Sequence, residues 1–386
     1  MRDGWKKALV ATAFFAFAFL AVNESGTIAY TIADIRWGGA WTAGAANDGR
    51  GEAPARGTER IPDGSTDGIA VGDGGGAIAN GETEGNGRTA SIDPTTLAPR
   101  DRALYERIVR ESEALRVAPV DAKLDPVWKA IPGVNGLEVD VDRTFAVARQ
   151  SKTYGDRTPL PFVYREVPIR VTLDDLGYQP IYKGNPRKPM VALMINVAWK
   201  EENIPSMLST LKAENVKATF FFDGSWLEKH PDVAKTIAAD GHELANHAYS
   251  HKNMSGLSDA EAKREIEKTE RLLKDVLGVE RNTLFAPPSG DYDMDTVRVA
   301  GELGLRTILW TLDTVDWKEP APEAIVRKVR ARIEPGSLIL MHPTEAAAGA
   351  LEGIIKEAKR KGYAIGTVSE TISPARVPTV ETPAGF

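Results

Sequence analysis

The chain has 386 residues, 42% of them hydrophobic, with a formal net charge of −6 and no cysteine. This length allows two or three domains, and the absence of cysteine excludes disulfides and thiolate metal sites. The slightly acidic balance, with no basic run, argues against a nucleic-acid-binding protein.

Residues 1–33 have the pattern of an export signal or a membrane anchor. Three basic residues within the first seven precede an uncharged apolar run of 15 residues, Ala8 to Val22. The run is shorter than the ~20 residues that span a bilayer comfortably, and Asn23 and Glu24 occupy the place of a small-residue cleavage site. We expect an extracytoplasmic bacterial protein, secreted or tethered to the membrane by this segment alone.

Residues 34–93 are predicted to be a disordered, Gly-rich linker. The stretch has almost no large apolar residues, so it cannot bury enough surface to offset the entropy lost on ordering. Its Gly74–Gly76 run lacks the preceding strand and following helix of a nucleotide-binding loop, so no nucleotide cofactor is expected.

Residues 94–187 are predicted to form a small α/β module without a chemical motif. Helical spacing covers 98–117, and short strand patterns such as 136–139 follow between prolines.

From Lys188 onward, short apolar strands alternate regularly with helical stretches. The predicted strands lie at about 190–197, 217–223, 243–246, 283–286, 307–313, 337–342 and 363–368. Such alternation predicts a parallel sheet, which we expect to close as a distorted (β/α)7 barrel resembling a TIM barrel, over residues 188–370. Residues 371–386 form a C-terminal tail.

One predicted helix carries clear boundary signals. Ser258 with Glu261 three residues later forms a capping box, and Gly278 is the expected end.

Polar residues cluster at the carboxyl ends of the predicted strands, where active sites of such barrels lie. In strand order these are Asn196, Asp223, His247 with His251, Asp291, Asp313 with Asp316, and His342. His247 and His251 are four residues apart, so we expect them on one face of a helical turn, where one divalent metal accepts both imidazoles. Alone this spacing is a weak signal, since strand-end histidines are often only hydrogen-bonded.

The order and spacing of the motifs resemble the polysaccharide deacetylase family, with its NodB homology domain, over roughly residues 188–370. HAYSH at 247–251 resembles the family's H-[ST]-x-x-H, APPSG at 286–290 its R-P-P-x-G, DTVDW at 313–317 its D-x-x-D-W, and LILMH at 338–342 its L-x-H. The segments 191–199 and 308–317 are similar to the sporulation-associated, YlxY-type branch, and the fit extends into about 120–187.

The resemblance implies a hydrolase of carbon–nitrogen, non-peptide bonds that removes N- or O-acetyl groups from cell-wall or spore-envelope glycan. In the family a divalent metal, zinc or cobalt, polarises the acetyl carbonyl and acidifies a water. An Asp held by an Arg takes the water's proton, and the last His protonates the leaving amine.

Carried over by position, His247 and His251 are the expected metal ligands and His342 the general acid. Asn196 and Asp316 occupy the other catalytic positions. The expected substrate-binding residues are Trp199, Pro287, Pro288 and Trp317.

The chain departs from the family pattern at the chemical centre. The family's T-F-D-D-G reads Met194-Ile195-Asn196-Val197-Ala198, so Asn196 replaces the base and Val197 replaces a metal ligand. Ala286 replaces the Arg that would hold the base, which leaves Asp316 without its usual Arg partner. Loss of a general base costs ~10²–10⁴ in rate, and two imidazoles alone bind metal weakly, since zinc sites hold three or four ligands.

Two hypotheses therefore stand: a deacetylase with an altered or crippled site, and a non-catalytic glycan-binding relative. Asp223 or Asp291 is a candidate for the missing carboxylate, although a turn-stabilising aspartate is the default for both. Capping is likewise an alternative role for Asp313 and Asp316, and a buried core role is one for His342. The tryptophans at the rim, namely Trp199, Trp226, Trp310 and Trp317, suit sugar rings or core packing equally.

Overall fold

The computed structural model describes residues 92–155, 157–377 and 379–381. The predicted leader and nearly all of the predicted linker lie outside these residues. The described part belongs to one compact unit, Gly85–Phe386. None of its described helices combines the length and the apolar character needed to cross a membrane.

The described residues before 188 contain two α-helices and two antiparallel strand pairs. The elements are α1 (Pro99–Ser112), β1 (Lys123–Asp125), β2 (Lys129–Ile131), β3 (Gly136–Val139), α2 (Val141–Gln150) and β4 (Tyr164–Val167), with β1 paired to β2 and β3 to β4. The expected strand at 136–139 is therefore confirmed. The two helices pack through Leu104, Ile108, Phe145 and Ala148.

The rest of the chain builds one curled parallel sheet. Its strands are β5 (Met190–Val197), β6 (Thr219–Phe222), β7 (Glu243–Asn246), β8 (Leu284–Phe285), β9 (Arg306–Thr307), β10 (Leu312–Asp313), β11 (Leu338–Met341) and β12 (Ala364–Gly366). The order is β10-β11-β5-β6-β7-β8-β9, and β12 pairs with the first residues of β5. The predicted parallel (β/α) architecture is confirmed.

The helices alternate with these strands. They are α3 (Ile204–Ala213), α4 (Gly224–Lys229), α5 (Pro231–Ala239), α6 (Asp259–Leu277), α7 (Met294–Glu302), α8 (Pro322–Arg332), α9 (Glu345–Arg360) and α10 (Val368–Ile372). The predicted boundary signals of α6 are confirmed, because Ser258 and Glu261 form a capping box and Gly278 ends the helix with φ 68°.

The sheet differs from the prediction between β9 and β10. The expected single strand at 307–313 is two short strands, and no pairing within the described residues joins them to close the barrel. The reason is a segment from the preceding region: the Leu309 amide donates to the Ile181 carbonyl, and the Thr311 hydroxyl to the Tyr182 carbonyl. Residues 181–182 thus take the hydrogen bonds that direct closure would use.

Strand β5 separates two apolar layers by strict alternation. Val191, Leu193, Ile195 and Val197 belong to an outer cluster shared with the helices, whereas Ala192 and Met194 belong to an inner cluster within the curled sheet. Successive side chains of a strand point to opposite faces. Asn196 therefore continues the inner row, and its neighbour at 197 faces the helices.

Candidate functional site

The carboxyl ends of the strands bring the sequence-predicted histidines together. The rings of His247 and His251 have centroids 5.3 Å apart. The indole of Trp199 lies close to both His342 and His251. Its centroid is 5.0 Å from the His342 ring, in a stacked arrangement, and 6.4 Å from the His251 ring. The predicted convergence of these four residues on one rim is found, whereas His230 and His242 lie elsewhere.

His247, directly after β7, is buried and held in one orientation. Its Nδ1 lies 2.7 Å from the Ala286 carbonyl oxygen, and because a carbonyl only accepts, Nδ1 carries the proton and Nε2 the lone pair. Burial, followed by the neighbouring His251, lowers the pKa of His247 to about 3. The ring is therefore neutral near pH 7 and offers Nε2 as an acceptor.

The predicted helical turn at 247–251 is wrong. The segment is a loop in which Ala248 has φ 58° and His251 has φ 55°, both left-handed. Glu265 fixes it by accepting from the Tyr249 and Ser250 amides at 3.2 and 2.8 Å. The imidazoles meet because this loop doubles back rather than because of helical spacing, and the ring of His251 remains exposed.

Asp316 is buried and accepts four hydrogen bonds. Donors are the Thr314 hydroxyl (2.8 Å), the Thr344 hydroxyl (2.9 Å), the His342 amide (2.9 Å) and His342 Nδ1 (3.1 Å). Burial pushes the pKa of Asp316 up, but the bonds from His342 and Thr314 outweigh it, so the pKa is below its ordinary value. Asp316 lacks the family's Arg partner, as expected from Ala286, and two threonines and His342 donate to both of its carboxylate oxygens instead.

Sequence reasoning missed Thr314 and Thr344. A signal for Thr344 was present, since a threonine before Glu345 marks a helix N-cap, and its hydroxyl also accepts from the Ala347 amide at 3.1 Å.

The two altered positions on β5 face different surroundings. Val197 is fully buried in the outer cluster beneath the helices. Asn196 is 2% exposed, and its Oδ1 has no hydrogen-bond partner. The family's base position thus holds an unpaired amide oxygen, and its ligand position holds an apolar core residue.

The three remaining rim aspartates are partly or wholly used as turn and helix caps. Asp291 accepts from the Ser255 amide and hydroxyl at 2.9 and 2.8 Å, and Asp313 Oδ1 accepts from the Val315 amide at 2.7 Å. Asp223 caps α4 with Oδ1, which accepts from the Trp226 amide at 2.9 Å. Its Oδ2 is buried without a partner, and burial raises the pKa of Asp223.

The aromatic residues divide into core and rim. Trp226 is 3% exposed and stacks on Phe222 at 5.8 Å, and Trp310 packs against Gly290, where an added Cβ would lie 2.5 Å from the indole. Trp317 is 43% exposed beside the site. Pro287 and Pro288 are buried, so their part in substrate binding stays a prediction.

These residues do not fit the family's three-ligand metal site. The carboxylate position is Val197, whose side chain packs among apolar residues. Among the residues that the structure describes, no three His, Cys, Asp or Glu side chains gather so as to hold a metal ion.

Comparison with known proteins agrees with this picture. Residues 183–308 match the family model for polysaccharide deacetylases. The chain is similar to the uncharacterized protein YlxY of Bacillus subtilis (strain 168), with 41% identity over 74% of this chain and 88% of that protein. It is also similar to a peptidoglycan-N-acetylglucosamine deacetylase of Bacillus cereus, with 34% identity over 59% of this chain and 88% of that protein.

Among solved structures, it is similar to a wild-type CE4 family pseudoenzyme from Bacillus anthracis, with 38% identity and a TM-score of 0.66 over 71% of this chain and 96% of that one. A mutant of that pseudoenzyme, described as having restored enzymatic activity, is 37% identical with the same TM-score, over 71% of this chain and 99% of that one. This chain belongs to the polysaccharide deacetylase family, and its active site is altered.

The Asp316 network yields a prediction about stability. Asp316→Ala removes the shared acceptor of four donors, of which the Thr314 and Thr344 hydroxyls are buried, so we expect the free energy of unfolding to fall by about 3 kcal/mol. Asp313→Ala removes one cap and should cost about 1 kcal/mol. Urea denaturation of both variants measures the difference, and equal losses would show that the Asp316 network adds no stability of its own.

Proposed function

We propose that this protein is an extracytoplasmic, glycan-binding member of the polysaccharide deacetylase family whose own deacetylase activity is very low or absent. The observation that carries this is the pair at 196 and 197. Proton removal from water lacks its base, because the amide of Asn196 does not accept a proton near neutral pH. The third metal ligand is replaced by a valine that packs in the core.

The proposed ligand is acetylated or partly deacetylated cell-wall or spore-envelope glycan. Trp199 and the exposed Trp317 offer aromatic faces at the rim, and such faces suit sugar rings. The name of the Bacillus cereus relative, a peptidoglycan-N-acetylglucosamine deacetylase, supports a peptidoglycan-like polymer. The basic start and the apolar run from Ala8 to Val22 support export, with secretion or membrane tethering. The resemblance of segments 191–199 and 308–317 to a sporulation-associated branch favours a role in sporulation.

A second candidate function, deacetylation by an altered site, is favoured by one observation. The buried Asp316 holds His342 through Nδ1 at 3.1 Å, which leaves Nε2 for proton transfer to a leaving amine. A protein selected only for binding has no need of this arrangement, although it also stabilises the fold.

Metal binding is expected to be weak and exchangeable. His247 offers Nε2, and His251 offers an exposed ring, but two imidazoles are fewer than zinc sites usually hold. Isothermal titration with zinc or cobalt should give weak binding that His247→Ala abolishes. His230→Ala, which removes a histidine outside the site, serves as the control. Tight stoichiometric metal that survives His247→Ala would place the ligands elsewhere.

Rebuilding the family residues tests whether chemistry was lost at these positions. In Asn196→Asp/Val197→Asp/Ala286→Arg, we expect tighter metal binding and a rise in acetate release of at least ~10²-fold over wild type, since a base and a ligand return. The restored activity described for the mutant Bacillus anthracis pseudoenzyme supports this expectation. Acetate release from N-acetylglucosamine oligomers is the measurement.

The single variant Val197→Asp is the matched control. Because the side chain at 197 faces the outer cluster, metal affinity should rise only where the new carboxylate turns to the rim, and the rate should change little because a base is still missing. Thermal melts of all variants are needed, since positions 197 and 286 are fully buried and charged replacements there cost stability. If the wild type already releases acetate and the triple variant is slower, the altered-site deacetylase is the correct function.

A further inference from the structure

Two buried oxygen atoms at the rim lack any hydrogen-bond partner. They are Asn196 Oδ1 and Asp223 Oδ2, and both side chains are 2% exposed. A buried polar atom without a partner costs free energy. Both atoms are acceptors, so the missing partner is a hydrogen-bond donor or a cation.

The sheet register places these side chains on neighbouring strands and on one face. Asn196 of β5 pairs with Phe221 of β6, and the Asp223 amide donates to the Val197 carbonyl at 3.0 Å. Asn196 and Phe221 face the inner side of the sheet, and by alternation Asp223 does too. Asn196 and Asp223 are therefore diagonal neighbours on one face of two adjacent parallel strands.

His247 is the next acceptor in the same row. Phe222 pairs with Asn246, and the His247 amide donates to the Phe222 carbonyl at 2.9 Å, so His247 stands beside Asp223. Its Nε2 carries a lone pair because Nδ1 donates to the Ala286 carbonyl. Asp223 interacts electrostatically with His251, but no hydrogen bond joins them.

Asn196 Oδ1, Asp223 Oδ2 and His247 Nε2 together form the floor of the site. Within the described residues, no fixed cation balances the charge of this floor. Ala286 stands at the family's arginine position. The lysines of the loops that carry the rim residues have other partners: Lys200 lies 3.9 Å from Glu202, Lys252 lies 3.5 Å from Glu265, and Lys318 lies over the Trp317 ring at 4.9 Å. The floor therefore presents the Asp223 carboxylate and the neutral acceptors Asn196 Oδ1 and His247 Nε2 to a bound ligand.

We propose that this rim recognises a hexosamine whose 2-amino group is free and protonated, with the ammonium bound by Asp223 Oδ2 and Asn196 Oδ1. This rests on the proposed glycan-binding function and names its ligand class. An ammonium has three donors and no acceptor, which matches the unpaired atoms. An N-acetyl group replaces this ammonium with a neutral amide, which brings one N–H donor and no positive charge to the Asp223 carboxylate. The protein thus binds the product of deacetylation rather than its substrate.

The test compares β-1,4-linked glucosamine tetramers with N-acetylglucosamine tetramers by isothermal titration, using the whole protein with EDTA at a mildly acidic pH. Wild type should prefer the amino oligomer by about ten-fold or more, since hydrogen bonds to charged groups are the stronger ones. Asp223→Asn should lose that preference while keeping the cap of α4, because asparagine caps helices as well as aspartate. Asn196→Ala should reduce the preference partly.

Asp291→Asn is the matched control, since that rim carboxylate already accepts from Ser255. This variant should prefer the amino oligomer over the acetylated one as strongly as wild type does. An equal loss in both Asn variants would mean general attraction of a cationic oligomer to an acidic protein, and would overturn the inference. Equal or tighter binding of the acetylated tetramer would also overturn it, while leaving glycan binding intact. Binding of neither oligomer would instead contradict the proposed function itself.

Discussion

The alternation of side chains at the end of β5 is the constraint on which the site depends. The strand is buried along its whole length, with one row of side chains facing the inner cluster and the other facing the helices. Asn196 and Val197 are consecutive, so they belong to different rows. Valine at 197 continues an apolar row and stabilises the outer layer. An inner residue at 196 and an outer residue at 197 thus leave one unpaired amide oxygen at the rim.

The neighbouring part of the rim, at the ends of β10 and β11, is built around the buried carboxylate of Asp316. Asp316 accepts from two threonines and from both the amide and the ring of His342. This network links the loop after β10 to the end of β11 and to the start of α9. It stabilises the fold whether or not protons are transferred, which explains how it can persist beside an altered metal position. Retained histidines in such a site are therefore poor indicators of catalysis.

Much of the fold was predictable from sequence because it follows from local patterns. Apolar runs predicted the strands. The boundaries of α6 were predicted by Ser258, Glu261 and Gly278. The break between β9 and β10 was not predictable, since it depends on Ile181 and Tyr182 arriving from a distant part of the chain. The same holds for the loop at His247 to His251, whose left-handed residues are neither glycine nor asparagine. Spacing predicted that these histidines meet, but for the wrong geometric reason. The unpaired oxygen of Asp223 was not predictable either, because it depends on how the neighbouring strands pair.

The central claim is that the protein binds glycan without appreciable hydrolysis of its acetyl groups. The most direct measurement follows one sample of wild-type protein, with zinc at saturation, mixed with cell-wall-derived oligomers that carry both acetylated and free amino sugars. Binding is read from line broadening of the sugar resonances and hydrolysis from the acetate signal in the same NMR spectra. The account predicts broadened sugar resonances and no acetate above the protein-free control over many hours. Steady acetate release at many turnovers per protein would contradict it.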